Sequence, residues 1–152
     1  PMKEGIALIL MLLDTGSGNR PGMNAMREIA IRACSFDRDI YCEGTDVISQ
    51  SSGSAFFQEC FDKWKSQTVL PENAYDLGTA KIDRWLVLRV SAIMDANRRN
   101  YYGECAAFVA ALGEVLESGK PGYKDSLMQQ YRANYSRRRA FHDELRKYGM
   151  RK

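Results

Sequence analysis

Apolar residues recur along this chain at steps of three and four, the spacing of one helical face. Residues 3–14 are the exception, apolar nearly all round, and predict a buried first helix. Asp14–Gly22 is rich in Gly, Ser and Asn and reads as a loop, with Pro21 suited to the first turn of a second helix over 21–35. There Met26, Ile29, Ala30 and Ala33 share a face. Residues 35–53 are the least regular; Asp46–Gln50 suits one helical turn, Ser49–Ser54 a flexible loop. Ser54 is placed to cap a third helix over 55–66, whose apolar face is Phe57, Cys60, Phe61 and Trp64.

Pro71 breaks the pattern, and Gly78 and Thr79 lead into a fourth helix over 80–96. Ile82, Trp85, Leu86, Leu88, Val90, Ile93 and Met94 cover most of its circumference, which predicts a central helix packed on several sides. After a joint at 97–100, a fifth helix over 101–118 carries Tyr102, Cys105, Ala106, Val109, Leu112 and Leu116 on one stripe. Gly113 interrupts it at a cost of ~1 kcal/mol relative to Ala, which implies close helix packing there. Gly119–Gly122 ends it. A sixth helix spans 122–134 and a seventh 137–148, capped by Ser136 and closed by a left-handed Gly149.

About seven helices with short connections predict an all-α single domain over 1–152, with neighbours antiparallel. Two forms fit: helix pairs stacked as in tetratricopeptide or HEAT repeats, or a compact bundle. Laying Asn97–Leu112 on Tyr131–Arg146, a shift of 34, aligns Arg98/Arg132, Asn100/Asn134, Tyr101/Tyr135 and Ala106/Ala140. That shift equals the tetratricopeptide period and favours stacked pairs. The core should hold Trp85, Phe108, Val109, Leu112, Phe141 and Leu145.

Composition adds little until charge is located. The net charge is +3, yet Lys120–Lys152 holds ten Lys/Arg against three acids, so the rest must carry −4. A basic end on a mildly acidic body suits an anionic partner. Arg132, Arg137, Arg138, Arg139, Arg146 and Lys147 are the candidate anion or nucleic-acid contacts, with Tyr131 and Tyr135 as stacking surfaces for single strands. Phe141, Leu145 and Tyr148 mark the buried side of the last helix; Arg139 lies opposite and should pair with Asp143, while the stems of Arg137 and Arg138 cover apolar surface.

Catalytic chemistry finds no pattern. The one histidine, His142, lies at the margin of an apolar face and no nucleophile is paired with it by sequence. The four cysteines, Cys34, Cys42, Cys60 and Cys105, are not at zinc-ligand spacing, so no metal and no cofactor is expected. Cys34, Cys60 and Cys105 sit in apolar helical pattern as buried thiols do, which implies a reducing, cytoplasmic setting. Asp14–Gly22 is neither GxGxxG nor a P-loop, and Asp83 and Glu104 read as surface acids. Gly5–Leu13 is too short to span a bilayer and no A-x-A site follows, so no membrane partner is expected. The abrupt apolar start predicts a fragment of a longer protein.

The run NYYGECAAFVAALGEVL (Asn100–Leu116), then GKPGYKDSLMQQYRANY (Gly119–Tyr135), then SRRRAFHDELRKYG (Ser136–Gly149), resembles the helical region after the zinc finger of bacterial SWIM zinc-finger proteins. The resemblance covers about the last 55 residues. That family's CxC and CxH zinc pairs are absent, so it implies a metal-free helical part and carries over no ligand. It also implies protein or nucleic-acid partners. These readings together predict a non-enzymatic helical interaction module for a protein or peptide, with a nucleic-acid accessory module as the alternative.

Overall fold

A computed structural model describes residues 2–34 and 50–151, with backbone alone at Cys34 and at 50–54. Seven α-helices account for nearly all of it: α1 (Lys3–Leu13), α2 (Pro21–Cys34), α3 (Gln50–Gln67), α4 (Ala74–Asp95), α5 (Tyr102–Glu117), α6 (Tyr123–Asn134) and α7 (Arg139–Lys147). A 3-10 turn, Arg99–Tyr101, leads into α5. Among the described residues no helix is long and apolar enough to cross a membrane.

The centre is α5, not α4. Every residue of α5 from Cys105 to Val115 is buried, and α1, α2, α4, α6 and α7 all pack on it. Small residues make this possible: Ala106, Ala107, Ala110, Ala111 and Gly113 let neighbouring backbones approach from several directions. A β-carbon on Gly113 would lie 2.8 Å from the Lys124 Cα of α6, so the close packing expected at this glycine is present. By contrast α4 buries Ile82, Leu86, Val90, Ile93 and Met94 on one side and leaves Leu77, Val87 and Leu88 exposed. Trp85, expected in the core, is only half-buried, whereas Phe108, Val109, Leu112, Phe141 and Leu145 are completely enclosed. Helix pairs pack against each other but are gathered around one axis. Stacked repeats touch only their neighbours, so the compact bundle is the form that describes these helices.

The helix ends have identifiable causes. Asn97 (φ 51°) closes α4 as a left-handed residue: Arg98 N–H donates to the Ile93 carbonyl (3.0 Å) and Asn97 N–H to that of Met94 (3.1 Å). Gly149 (φ 101°), anticipated in this role, closes α7 the same way, with Met150 N–H on Leu145 and Gly149 N–H on Arg146. Pro21 begins α2 as expected. Between α1 and α2, Arg20 donates to both carboxylate oxygens of Asp14 (2.9 and 2.5 Å), and Lys65 of α3 donates to the carbonyls of Met11 and Asp14 at the end of α1.

Four local expectations change. α3 begins at Gln50, so Ser54 lies inside it and does not cap it; Asp46–Ser49 lie outside the described residues. α4 begins at Ala74, about one and a half turns early, and runs on through Gly78 and Thr79, whose hydroxyl donates to the Tyr75 carbonyl. α7 begins at Arg139, with Arg138 rather than Ser136 at its cap position. Cys60 and Trp64 are exposed on α3, which meets the rest of the bundle chiefly through a few contacts with α2 and the Lys65 bonds to the end of α1, so its apolar face is only partly covered by Phe57 and Phe61 packing together. Cys105 is buried as expected, while Cys42 lies outside the described residues and Cys34 is described by backbone alone.

Candidate functional site

Three carboxylates of α5 organise its surroundings. Glu114 is buried, with a side chain 2% exposed; it accepts from Gly22 N–H (2.9 Å), Met23 N–H (2.7 Å) and Lys124 Nζ (2.7 Å). The first turn of a helix has unpaired N–H groups, and here a residue more than ninety positions away satisfies two of them. Glu117 does the same for α6, accepting from Gly122 and Lys124 N–H (both 2.7 Å), and these bonds hold its carboxyl below the usual range. Burial pushes Glu104 upward, but bonds from Lys3 (2.7 Å) and Arg89 more than offset this, and its carboxyl lies below the ordinary value. Glu104 is therefore a joint between α1, α4 and α5 and not the surface acid expected.

Among the described residues, two surfaces combine exposed side chains with a cleft. The first is a groove of about 600 Å³ between α6 and α7, into which Arg132, Arg139 and Arg146 all face. Arg132 is steadied by Gln129 Oε1 (3.2 Å), and Arg146 is paired with Asp143 (2.5 Å), which also lines the groove. The Arg139–Asp143 pair expected from sequence is replaced by this one. Among the described residues neither Arg132 nor Arg139 has a carboxylate partner. His142, at the groove floor, is buried rather than marginal, and its Nε2 is 2.9 Å from the Tyr135 carbonyl, to which it donates. This bond fastens α7 to the α6–α7 turn; among the described residues no serine or cysteine hydrogen-bonds to the ring.

The other sequence candidates are not in the groove. Arg138 is structural: it donates to the Met94 carbonyl (2.7 Å) and Asn97 Oδ1 (2.8 Å), closing the end of α4. Lys147 pairs with Glu144 (2.7 Å), which raises its ammonium above the ordinary value. Arg137 is exposed and lies outside the groove. The tyrosines expected to stack on bases face inward. Tyr131 is 4% exposed, and Tyr135 presents its ring edge-on to Phe141 at 6.1 Å.

The second surface is the outward side of α4. Leu77, Val87 and Leu88 are 52%, 49% and 66% exposed. Leu88 also lines a cleft of about 530 Å³ with Trp85 and Ala92. Trp85 is held edge-on to Phe108 (5.2 Å) with the Arg89 guanidinium over its ring (5.5 Å). Sequence reasoning missed this surface. Its signal was present, since apolar residues circle α4 although only one side of it is covered.

No family model, no curated protein and no solved structure matches this chain. Among the described residues no three His, Cys, Asp or Glu side chains converge to hold a metal ion.

Proposed function

We propose that this chain is a non-enzymatic interaction module whose outward α4 face takes a protein or peptide partner. One observation carries the reading: large apolar side chains stand exposed on a helix whose opposite side is firmly in the core. Large apolar side chains left in water beside a cleft suit an interaction surface, and a fixed aromatic such as Trp85 is a common anchor of one. The two described cysteines carry free thiols, Cys60 exposed, which supports a reducing, cytoplasmic setting. The SWIM resemblance of the last third belongs to the same proposal: a helical piece of a larger bacterial protein, to be checked by a CxC…CxH segment in the parent chain.

The test is selection of a random peptide library against the whole chain. Selected peptides should lose most of their binding to Leu88→Asp and Val87→Asp, while both variants melt as the parent does. If the selected peptides bind these variants undiminished, the α4 face is not the partner surface. A second reading, nucleic-acid contact, draws on the three groove arginines. It predicts log affinity falling with log salt by roughly 0.7 per phosphate contact on a single strand.

A further inference from the structure

We propose that the α6–α7 groove binds an acidic peptide segment in extended form, with side-chain carboxylates about three residues apart. Arg139 and Arg146 lie seven residues apart on α7. At 1.5 Å per residue that separates them by roughly 10.5 Å on one helical face. Arg132 faces them from α6, so the groove offers guanidiniums on both walls. A segment in the polyproline II form returns to the same side every third residue, about 9.3 Å on, which matches the spacing. Guanidinium forks pair with carboxylates through two parallel hydrogen bonds. Ser136 adds a hydroxyl able to meet a peptide backbone, while Gln129 holds the wall in place, its Oε1 accepting from Arg132 and its Nε2 donating to the Arg151 carbonyl.

The same groove is poorly made for nucleic acid. Base recognition on single strands uses exposed aromatic rings, and the neighbouring Tyr131 and Tyr135 are turned into the core. Asp143 also stands in the groove, bound to Arg146. A continuous row of phosphates would have to pass it, whereas spaced carboxylates fall on either side. The His142 bond to Tyr135 keeps α7 in place, so the arginine spacing is preset.

The test is fluorescence anisotropy with the whole chain and three labelled probes. One is a short Gly/Ser peptide with Glu at every third position, the second the same peptide with Gln for Glu, the third an oligouridine of similar length. Ionic strength is set at about 150 mM, where the Debye length is ~8 Å and diffuse attraction is screened. The Glu peptide should bind tightest. Arg139→Gln and Arg132→Gln should each weaken it by about tenfold, the loss of one charge-assisted pair. Arg137→Gln, outside the groove, should change it less than about twofold. Asp143→Asn should strengthen binding severalfold, a gain that no unfolding can mimic. Equal binding of the Glu and Gln peptides, or none of either, would overturn the proposal. So would equal losses from Arg137→Gln and Arg139→Gln, which would mean diffuse charge. Oligouridine binding more tightly than the Glu peptide, and lost in Arg139→Gln, would assign the groove to nucleic acid instead. Leu88→Asp should leave Glu-peptide binding unchanged, so this proposal and the α4 reading fail separately.

Discussion

Replacing Glu114 by alanine should cost more stability than any other single change at a charged residue of this chain. The carboxylate is buried and holds three donors: Gly22 N–H, Met23 N–H and Lys124 Nζ. Gly22 and Met23 are themselves buried, so water cannot replace the lost acceptor. Each orphaned N–H then costs ~1–3 kcal/mol. Lys124 keeps a side chain 19% exposed and can turn outward, so it adds less. Two such donors sum to ~2–6 kcal/mol, with Lys124 adding little. Lys124→Met leaves the two backbone donors on the carboxylate and should cost less, ~1–3 kcal/mol. Glu117→Ala removes a cap that water can partly replace, for ~0.5–1 kcal/mol. Urea unfolding followed by far-ultraviolet circular dichroism at neutral pH gives all three values. A loss below ~1 kcal/mol for Glu114→Ala, the range of a solvated cap, would refute the role assigned to it.

Gly113→Ala should destabilise by ~1–3 kcal/mol by thermal or urea unfolding, although alanine is the better helix former, because its β-carbon would meet the Lys124 backbone at 2.8 Å. Leu112→Ala should cost ~2–5 kcal/mol in the same assay, since Leu112 is fully enclosed. Glu104 has its carboxyl pK lowered in the folded state, so the stability it contributes is present above the unfolded value of about 4.3 and is lost as pH falls through the folded one. The stability difference between the parent and Glu104→Gln should therefore be constant near neutrality and shrink on acidification below about pH 4. Burial pushes the Cys105 thiol up to about 12, so alkylation of the native chain, read by peptide mass spectrometry, should modify exposed Cys60 and spare Cys105.

Helix identity was legible because each apolar stripe, such as Met26–Ile29–Ala30, repeats at helical steps, and because Pro21, Gly122 and Gly149 punctuate the chain where backbone geometry demands them. Which helix is central was not legible. α4 and α5 both carry apolar residues around most of their surface, but only α5 has the alanines and Gly113 that admit backbones from several sides. Side-chain size, rather than apolar count, separated the two. The basic patch was legible in number and not in arrangement. A helical wheel puts Arg139 and Arg146 together, but it cannot show that Arg132 arrives from α6, or that Arg138 is spent on the Met94 carbonyl. Contacts such as Glu114 with Gly22 join residues far apart along the chain, and no local pattern carries them.

The embrace of α2 by the far end of α5 has a consequence for synthesis. During translation the first turn of α2 is made some ninety residues before the Glu114 carboxylate that accepts its Gly22 and Met23 N–H groups. At roughly 5–20 residues per second those donors wait about 5–18 s for their acceptor, while α1 and α2 can already pack on each other. The helix start that α5 completes is therefore the last part of the α1–α2 pair to be finished on the ribosome.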